Sequence, residues 1–279
     1  MSYKSIFTAL TDSKLAESLL DHTIALGEAH DAHVEALCLG VDRSQTGYYY
    51  AGANALILQG VLDRALEDAT EIDTLAKAKL GKTGLRWACD TAMAQLVDIG
   101  RHAAARARFA DLVVLPTPYG ESRGPEYEAL VESALFEARV PVMIVPEQRA
   151  PMTKANKIVV AWNESNEALA AVRSALPLLK QAEKVHVAVI DPPMHRADRA
   201  DPGGLLSIWL ARHGVHVEVN VLSQSMPRVS DVLLRHADDV EADLVVMGAY
   251  GHSRFREAIL GGATRNMLEK ATVPIFLAH

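Results

Sequence analysis

Cysteine is scarce. The chain has 279 residues and two cysteines, Cys38 and Cys89, too few for a disulfide framework. Both stand in apolar runs (ALCLG and RWACD), and no C-x-x-C spacing joins them, so they are expected as buried, reduced thiols. Basic charge is not in excess: 28 Lys and Arg face 35 Asp and Glu, for a net charge of −7. That excludes a nucleic-acid binder relying on a broad basic surface, although a small phosphate pocket needs no net positive chain. No apolar stretch is long enough for a bilayer. The longest uncharged run, Ser44–Leu62, carries Ser, Gln, Thr, Gly and Asn among its apolar residues and is too polar to span one. The opening residues lack a basic segment followed by an apolar one, so no secretory signal is expected, and the reading is a cytoplasmic protein with no membrane partner.

Several chemical motifs are also missing. There is no G-x-x-x-x-G-K-[ST] and no G-x-G-x-x-G, so P-loop NTPase and ordinary dinucleotide readings fail. No G-x-S-x-G elbow is present, which disfavours an α/β-hydrolase. Without H-E-x-x-H or C-x-x-C no zinc motif is visible, and no metal site is expected. His186 and His216 each precede a valine near the start of neighbouring strands and are read as edge histidines. No base-and-nucleophile pair is found, so no catalytic residue is named.

What is present is a repeat, imperfect and in order. Ala110-Asp111-Leu112-Val113-Val114 recurs as Ala242-Asp243-Leu244-Val245-Val246, Tyr119-Gly120-Glu121-Ser122 as Tyr250-Gly251-His252-Ser253, and Val140-Pro141-Val142 as Val273-Pro274-Ile275. At 279 residues, about 1.9 average domains are expected. A polar segment with two prolines, Pro146–Lys154, reads as a linker, giving domains 1–148 and 155–279. In each half, aliphatic strand-like runs alternate with helical patterns. Strands are expected at Ser5–Leu10, His33–Leu39, Leu85–Ala88, Leu112–Pro116 and Val142–Val145. In the second half they are Lys157–Trp162, Lys184–Ile190, Val215–Val221, Leu244–Gly248 and Ile275–Ala278. Helices are expected at Glu167–Leu179 and Ser230–Asp238. Near-continuous Val/Ile/Leu strands imply a sheet buried on both faces, and alternating β and α elements imply a doubly wound parallel sheet. Ligands of such sheets bind at the carboxyl ends of the strands.

The sharpest motif follows the strand Leu244–Gly248. Gly248-Ala249-Tyr250-Gly251 is followed, after nine residues, by Gly261-Gly262-Ala263-Thr264, which opens a helix over Ala263–Lys270. Glycines allow close approach of backbone to a phosphate, and a helix N-terminus offers unpaired N–H groups and partial positive charge. Thr264 caps that helix or meets a phosphate oxygen. His252, Ser253 and Arg254 follow Gly251, with Arg254 the natural anion partner.

On these residues the chain resembles the universal stress protein family in its tandem two-domain form, over essentially its whole length. Nucleotide-binding members carry G-x2-G-x9-G-[ST] after the fourth strand, matched here by Gly248, Gly251 and Gly261; Gly262 replaces the Ser/Thr and the first hydroxyl is Thr264. The family's acidic residue after the first strand corresponds to Asn163, whose amide can still hydrogen-bond a nucleoside. The second-strand backbone that meets adenine maps to Val189. The resemblance implies two doubly wound five-stranded α/β sheets of the adenine nucleotide alpha hydrolase type, packed as an intramolecular pseudo-dimer, with the strands Val142–Val145 and Ile275–Ala278 paired. It implies an ATP site from Asn163, Val189, Gly248, Gly251, Gly261, Gly262 and Thr264. The function implied is a nucleotide-responsive regulatory module with no or very slow hydrolysis, at most a weak ATPase. Protein partners and a homodimer stay open.

The first half has lost the motif. Only Gly120 remains, Pro116 and Pro118 remove donors, and Glu121, Glu126 and Glu128 would repel phosphate, so no ATP is expected there. Two other readings remain. One is a scaffold without nucleotide; the other is a small-molecule binding protein using the altered first half, with Tyr48, Tyr49 and Tyr50 as a lid. A helix starting near Ala53 accounts for Leu56, Leu58 and Leu62 through core packing.

Overall fold

The computed structural model describes residues 2–43, 55–120, 123–192, 202–249 and 262–279. Tyr48, Tyr49, Tyr50, Gly251, Gly261 and the segment 252–254 lie outside the described residues. The chain divides into two compact units, Tyr3–Val140 and a second formed essentially by Pro141–His279.

In the first unit the order is β1 (Ser5–Leu10), α1 (Ser13–His30), β2 (His33–Asp42), α2 (Ala55–Leu80), β3 (Arg86–Gln95), α3 (Ile99–Ala107), β4 (Leu112–Pro116) and α4 (Pro125–Ser133). The strands lie in the order β3-β2-β1-β4, and the pairs β1–β2, β1–β4 and β2–β3 are parallel. In the second unit β5 (Val142–Val145) and β6 (Lys157–Ala161) are followed by α5 (Asn166–Ser174), the short α6 (Leu176–Leu179) and β7 (Lys184–Ile190). Then come α7 (Gly204–Arg212), β8 (Val217–Leu222), α8 (Val229–Asp239), β9 (Leu244–Gly248), α9 (Ala263–Lys270) and β10 (Ile275–Ala278). Their order is β5-β10-β9-β6-β7-β8. The pairs β10–β9, β9–β6, β6–β7 and β7–β8 are parallel. β5 joins β10 antiparallel, with Phe276 opposite Met143, so the carboxy-terminal strands of the two repeats pair as the resemblance implies.

The aliphatic runs do what their composition requires. Ile158, Val159 and Val160 in β6, and Leu244, Val245 and Val246 in β9, are fully buried, as expected for strands covered on both faces. Among the described residues no helix is long and apolar enough to cross a membrane.

The repeated Ala-Asp-Leu-Val-Val has a structural reason. Asp111 Oδ2 accepts from the backbone N–H of Lys4 at 2.6 Å and of Ser5 at 3.0 Å. Asp243 Oδ2 accepts in the same way from Asn156 at 2.8 Å and Lys157 at 3.1 Å. Each aspartate N–H returns to a carbonyl of the clamped strand, Ser5 O or Lys157 O, at 2.8 Å. The carboxylate thus pins the start of the first strand of each repeat to the start of its fourth. Asp243→Ala leaves two strand-leading N–H groups without their charged acceptor and is expected to cost about 2 kcal/mol. Chemical denaturation checks this; an unchanged midpoint would mean that the clamp is decorative.

Three expectations are corrected. β3 runs from Arg86 to Gln95 rather than stopping at Ala88, because it is a sheet edge among the described residues. Its outer part (Asp90, Thr91, Gln95) is exposed and so lacks an apolar signature. The helix expected over Glu167–Leu179 is interrupted at Ala175, one residue after which the Leu176-Pro177 pair starts a new turn; proline lacks the N–H that continuation needs. Leu62 is not core but 40% exposed. The buried stripe of α2 is Ala65, Ala69, Ile72, Ala76 and Leu80, spaced three or four residues apart as a helix face requires.

Candidate functional site

In the second unit the chain goes from β6 outward to β7 and β8, then returns to β9 and β10 on the other side of β6. The crevice between the carboxyl ends of β6 and β9 is therefore the topological switch point. A cleft of about 310 Å³ opens there, within the range of small-molecule sites. Ala161, Trp162 and Asn163 leave β6 on one side, Ala188 and Ile190 come from β7, and Met247 and Gly248 end β9.

Three helices begin at this cleft. Ser165 and Glu167 lie at the start of α5, Val229 at the start of α8, and Ala263 and Thr264 at the start of α9. Each helix start presents N–H groups without intrahelical partners and a partial positive charge. The N-cap of α5 is satisfied internally, since Ser165 Oγ accepts from Ala168 N–H at 3.1 Å. Gly262, the N-cap of α9, has no side chain to do so. Arg228, the N-cap of α8 and the neighbour of the lining residue Val229, donates through Nη1 to Asn266 Oδ1 on α9 at 2.9 Å, joining the starts of the two helices.

Asn163 lines the cleft and is already half engaged: its Oδ1 accepts from Ser165 N–H at 3.1 Å, an Asx turn that sets the path from β6 into α5. Its amide nitrogen is a donor that this turn does not use. Glu167, in the first turn of α5 and also in the lining, carries a carboxylate acceptor. Among the described lining residues it is the one titratable side chain.

Gly248 is at the cleft for a packing reason as well. A Cβ at this position would stand 2.5 Å from Ala168 N and 2.6 Å from the Glu167 carbonyl carbon. Only glycine lets the first turn of α5 lie this close to the end of β9. Ala249 N–H then donates to Ala278 O at 2.8 Å, tying the exit of β9 to β10.

Of the residues singled out from the sequence, Asn163, Gly248 and Thr264 line one cleft, and Gly262 caps the helix at its edge. Val189 does not line it. Its flanking residues Ala188 and Ile190 do, because alternate strand residues point to opposite faces, and Val189 is buried on the other side near Gly203. Gly251 and Gly261 lie outside the described residues. Trp162, Ser165, Glu167, Val229, Leu233 and Met247 were not anticipated. His186 Nδ1 meets Asn220 Oδ1 at 2.9 Å, and its ring stands edge-on to that of His236.

The corresponding corner of the first unit is built differently. α4 begins with Pro125, which has no N–H, and Glu126 follows in the same turn. Glu126 is 2% exposed and pairs with Arg43, just beyond β2, at 2.5 Å. Glu128 accepts from Tyr119 Oη at 2.8 Å. A protein carboxylate thus stands in the first turn of α4, where α9 has no acidic residue, although both helices have a glycine N-cap without a side-chain hydrogen bond.

Comparison with known proteins agrees with this architecture. Residues 154–279 match the profile of the Universal stress protein family. A universal stress protein of Synechocystis sp. is 26% identical over 144 residues, covering 48% of this chain and 45% of that protein. The chain therefore spans less than half the length of that relative. In fold, the chain is similar to a universal stress protein from Archaeoglobus fulgidus, with a TM-score of 0.68 at 14% identity, covering 98% of this chain and 95% of that one. It is also similar to a functionally unknown protein from Pseudomonas aeruginosa PAO1, with a TM-score of 0.61 at 13% identity, covering 99% and 92%. The profile match spans β6 to β10, with the switch-point cleft and the aspartate clamp, so it is the second unit that is similar to the universal stress protein family.

Proposed function

We propose that the second unit is an adenine-nucleotide-binding regulatory module that takes ATP, with no or very slow hydrolysis. The observation that carries this reading is the convergence of three helix N-termini, one of them capped by glycine, on a cleft at the sheet's switch point. The apolar lining from Trp162, Ile190, Val229, Leu233 and Met247 suits a flat base. Asn163 as donor and Glu167 as acceptor suit the sugar and base edges. The start of α9, with Gly262, Thr264 and the neighbouring Arg228, suits the phosphates. Turnover is not expected to be fast, because Glu167 is the one titratable side chain in the described lining and has no second acid-base group to work with.

The first unit takes no ATP in this reading. Pro125 withholds a donor and buried Glu126 supplies the wrong charge, so its role is that of a structural companion to the nucleotide-binding unit.

Titration calorimetry of ATP into protein stripped of copurified nucleotide tests the proposal. About one site per chain is expected, abolished by Gly251→Asp. No heat of binding up to millimolar ATP would overturn the nucleotide reading and leave the glycines as tight-turn residues.

A further inference from the structure

The first unit carries a cluster of ligating side chains that the nucleotide reading leaves unused. Cys38 lies on β2 and Cys89 on β3, and their sulfurs are 3.5 Å apart. Asp73, on α2, turns its Oδ1 to the Cys89 sulfur at 3.2 Å. Among the described residues this is the one group of three metal-ligating side chains whose donor atoms all lie within 4.8 Å of one another.

The backbone places the three deliberately. Ala36 is the register partner of Cys89, and Cys38 that of Thr91, so the two cysteines are diagonal neighbours on one face of adjacent strands. That face is covered by α2, which comes unusually close: a Cβ on Gly40 would stand 2.0 Å from Ala65 O. From this contact Ala65, Ala69, Asp73 and Lys77 follow at four-residue steps along one side of the helix. Asp73 is thereby lowered onto the sulfurs. Lys77 Nζ holds its other oxygen, Oδ2, at 2.7 Å and leaves Oδ1 for the cluster.

Two chemistries could use neighbouring thiols, and the geometry separates them. Diagonal neighbours on adjacent strands have Cα atoms about 7–8 Å apart. A disulfide wants about 4.4–6.8 Å, so bridging would need the strands to move. A tetrahedral metal with bonds of about 2.3 Å to sulfur sets its two sulfurs about 3.8 Å apart, and a sulfur and a carboxylate oxygen about 3.6 Å apart. The observed 3.5 and 3.2 Å are close to that without backbone movement.

Charge points the same way. Two thiolates and a carboxylate carry three negative charges; a divalent cation and the Lys77 ammonium together neutralise them. A metal would displace both thiol protons to solvent. Cys89 and Asp73 are partly exposed, so the cluster can be reached from solvent.

We propose that Cys38, Cys89 and Asp73 form a binding site for a single borderline-soft divalent cation of the zinc type, with Lys77 orienting the carboxylate.

The test uses the full chain, reduced and stripped of metal, titrated with Co²⁺ as a spectroscopic stand-in for Zn²⁺. Expected are a thiolate-to-cobalt charge-transfer band saturating at one ion per chain, displacement of the cobalt by Zn²⁺, and protection of both thiols from an alkylating reagent. Cys89→Ser should abolish the band. Asp73→Asn should weaken binding about 10-fold or more while the thiols stay reactive in the apo protein. Circular dichroism of each variant establishes that it is folded. Absence of the band in reduced wild-type protein would overturn the proposal. So would a band that persists in Cys89→Ser, or ready formation of a Cys38–Cys89 disulfide by a hydroperoxide with no cobalt uptake by the reduced form.

Discussion

Gly262→Asp is expected to weaken ATP binding at least about tenfold, or roughly 1.4 kcal/mol, without lowering the unfolding temperature. Gly262 is the N-cap of α9 and adopts φ −56°, ψ 160°, a conformation open to any L-residue. Aspartate is among the best N-cap residues, so the folded state gains a few tenths of a kcal/mol or is unchanged. The same carboxylate would meet the helix N–H groups that the proposal reserves for phosphate and would add negative charge beside it. The first unit also has a carboxylate close to a helix start, Glu126 in the first turn of α4, though there it pairs with Arg43. Calorimetry and a thermal melt on the same sample separate the two effects. Unchanged affinity in a variant that melts normally would show that phosphate does not use this helix end.

Gly248→Val is expected to act the other way, on folding first. Its Cβ would enter the backbone of α5 at 2.5–2.6 Å, and neither partner is a flexible side chain that can step aside. Pushing α5 away separates Ser165 and Glu167 from the end of β9 and opens the packing beneath. The cost is about 3 kcal/mol, the upper part of the range for overpacking. It would be read as a large drop in the denaturation midpoint, with ATP binding lost as a consequence. A stable variant that still loses ATP would instead assign Gly248 to direct ligand contact alone.

These two glycines show how far the sequence could be read. The fold was legible because aliphatic strands and the repeated Ala-Asp-Leu-Val-Val carry their own periodicity. The reason for the repeated aspartate was not, since Asp243 and the N–H groups of Asn156 and Lys157 meet only after β6 and β9 lie side by side. Asn163, Gly248 and Thr264, which sit at strand ends and helix starts, line the cleft. Val189 was singled out for its backbone; its side chain faces away from the cleft, which its neighbours Ala188 and Ile190 line. Glu167 had no signal of its own; an acidic residue in the first turn of a helix is ordinary, and only the close approach of α5 to Gly248 puts it in the cleft. Cys38, Asp73 and Cys89 were invisible as a group, since no local spacing connects two strands and a helix that meet through the Gly40–Ala65 contact.

The function of the chain turns on where nucleotide binds. The most direct measurement is photolabelling of the full chain with an azido-ATP, followed by peptide mapping. The predicted result is a saturable adduct, removed by competing ATP, within the segment that lines the cleft between Ala161 and Thr264. Labelling confined to residues 3–140, or labelling that unmodified ATP does not compete away, would contradict it.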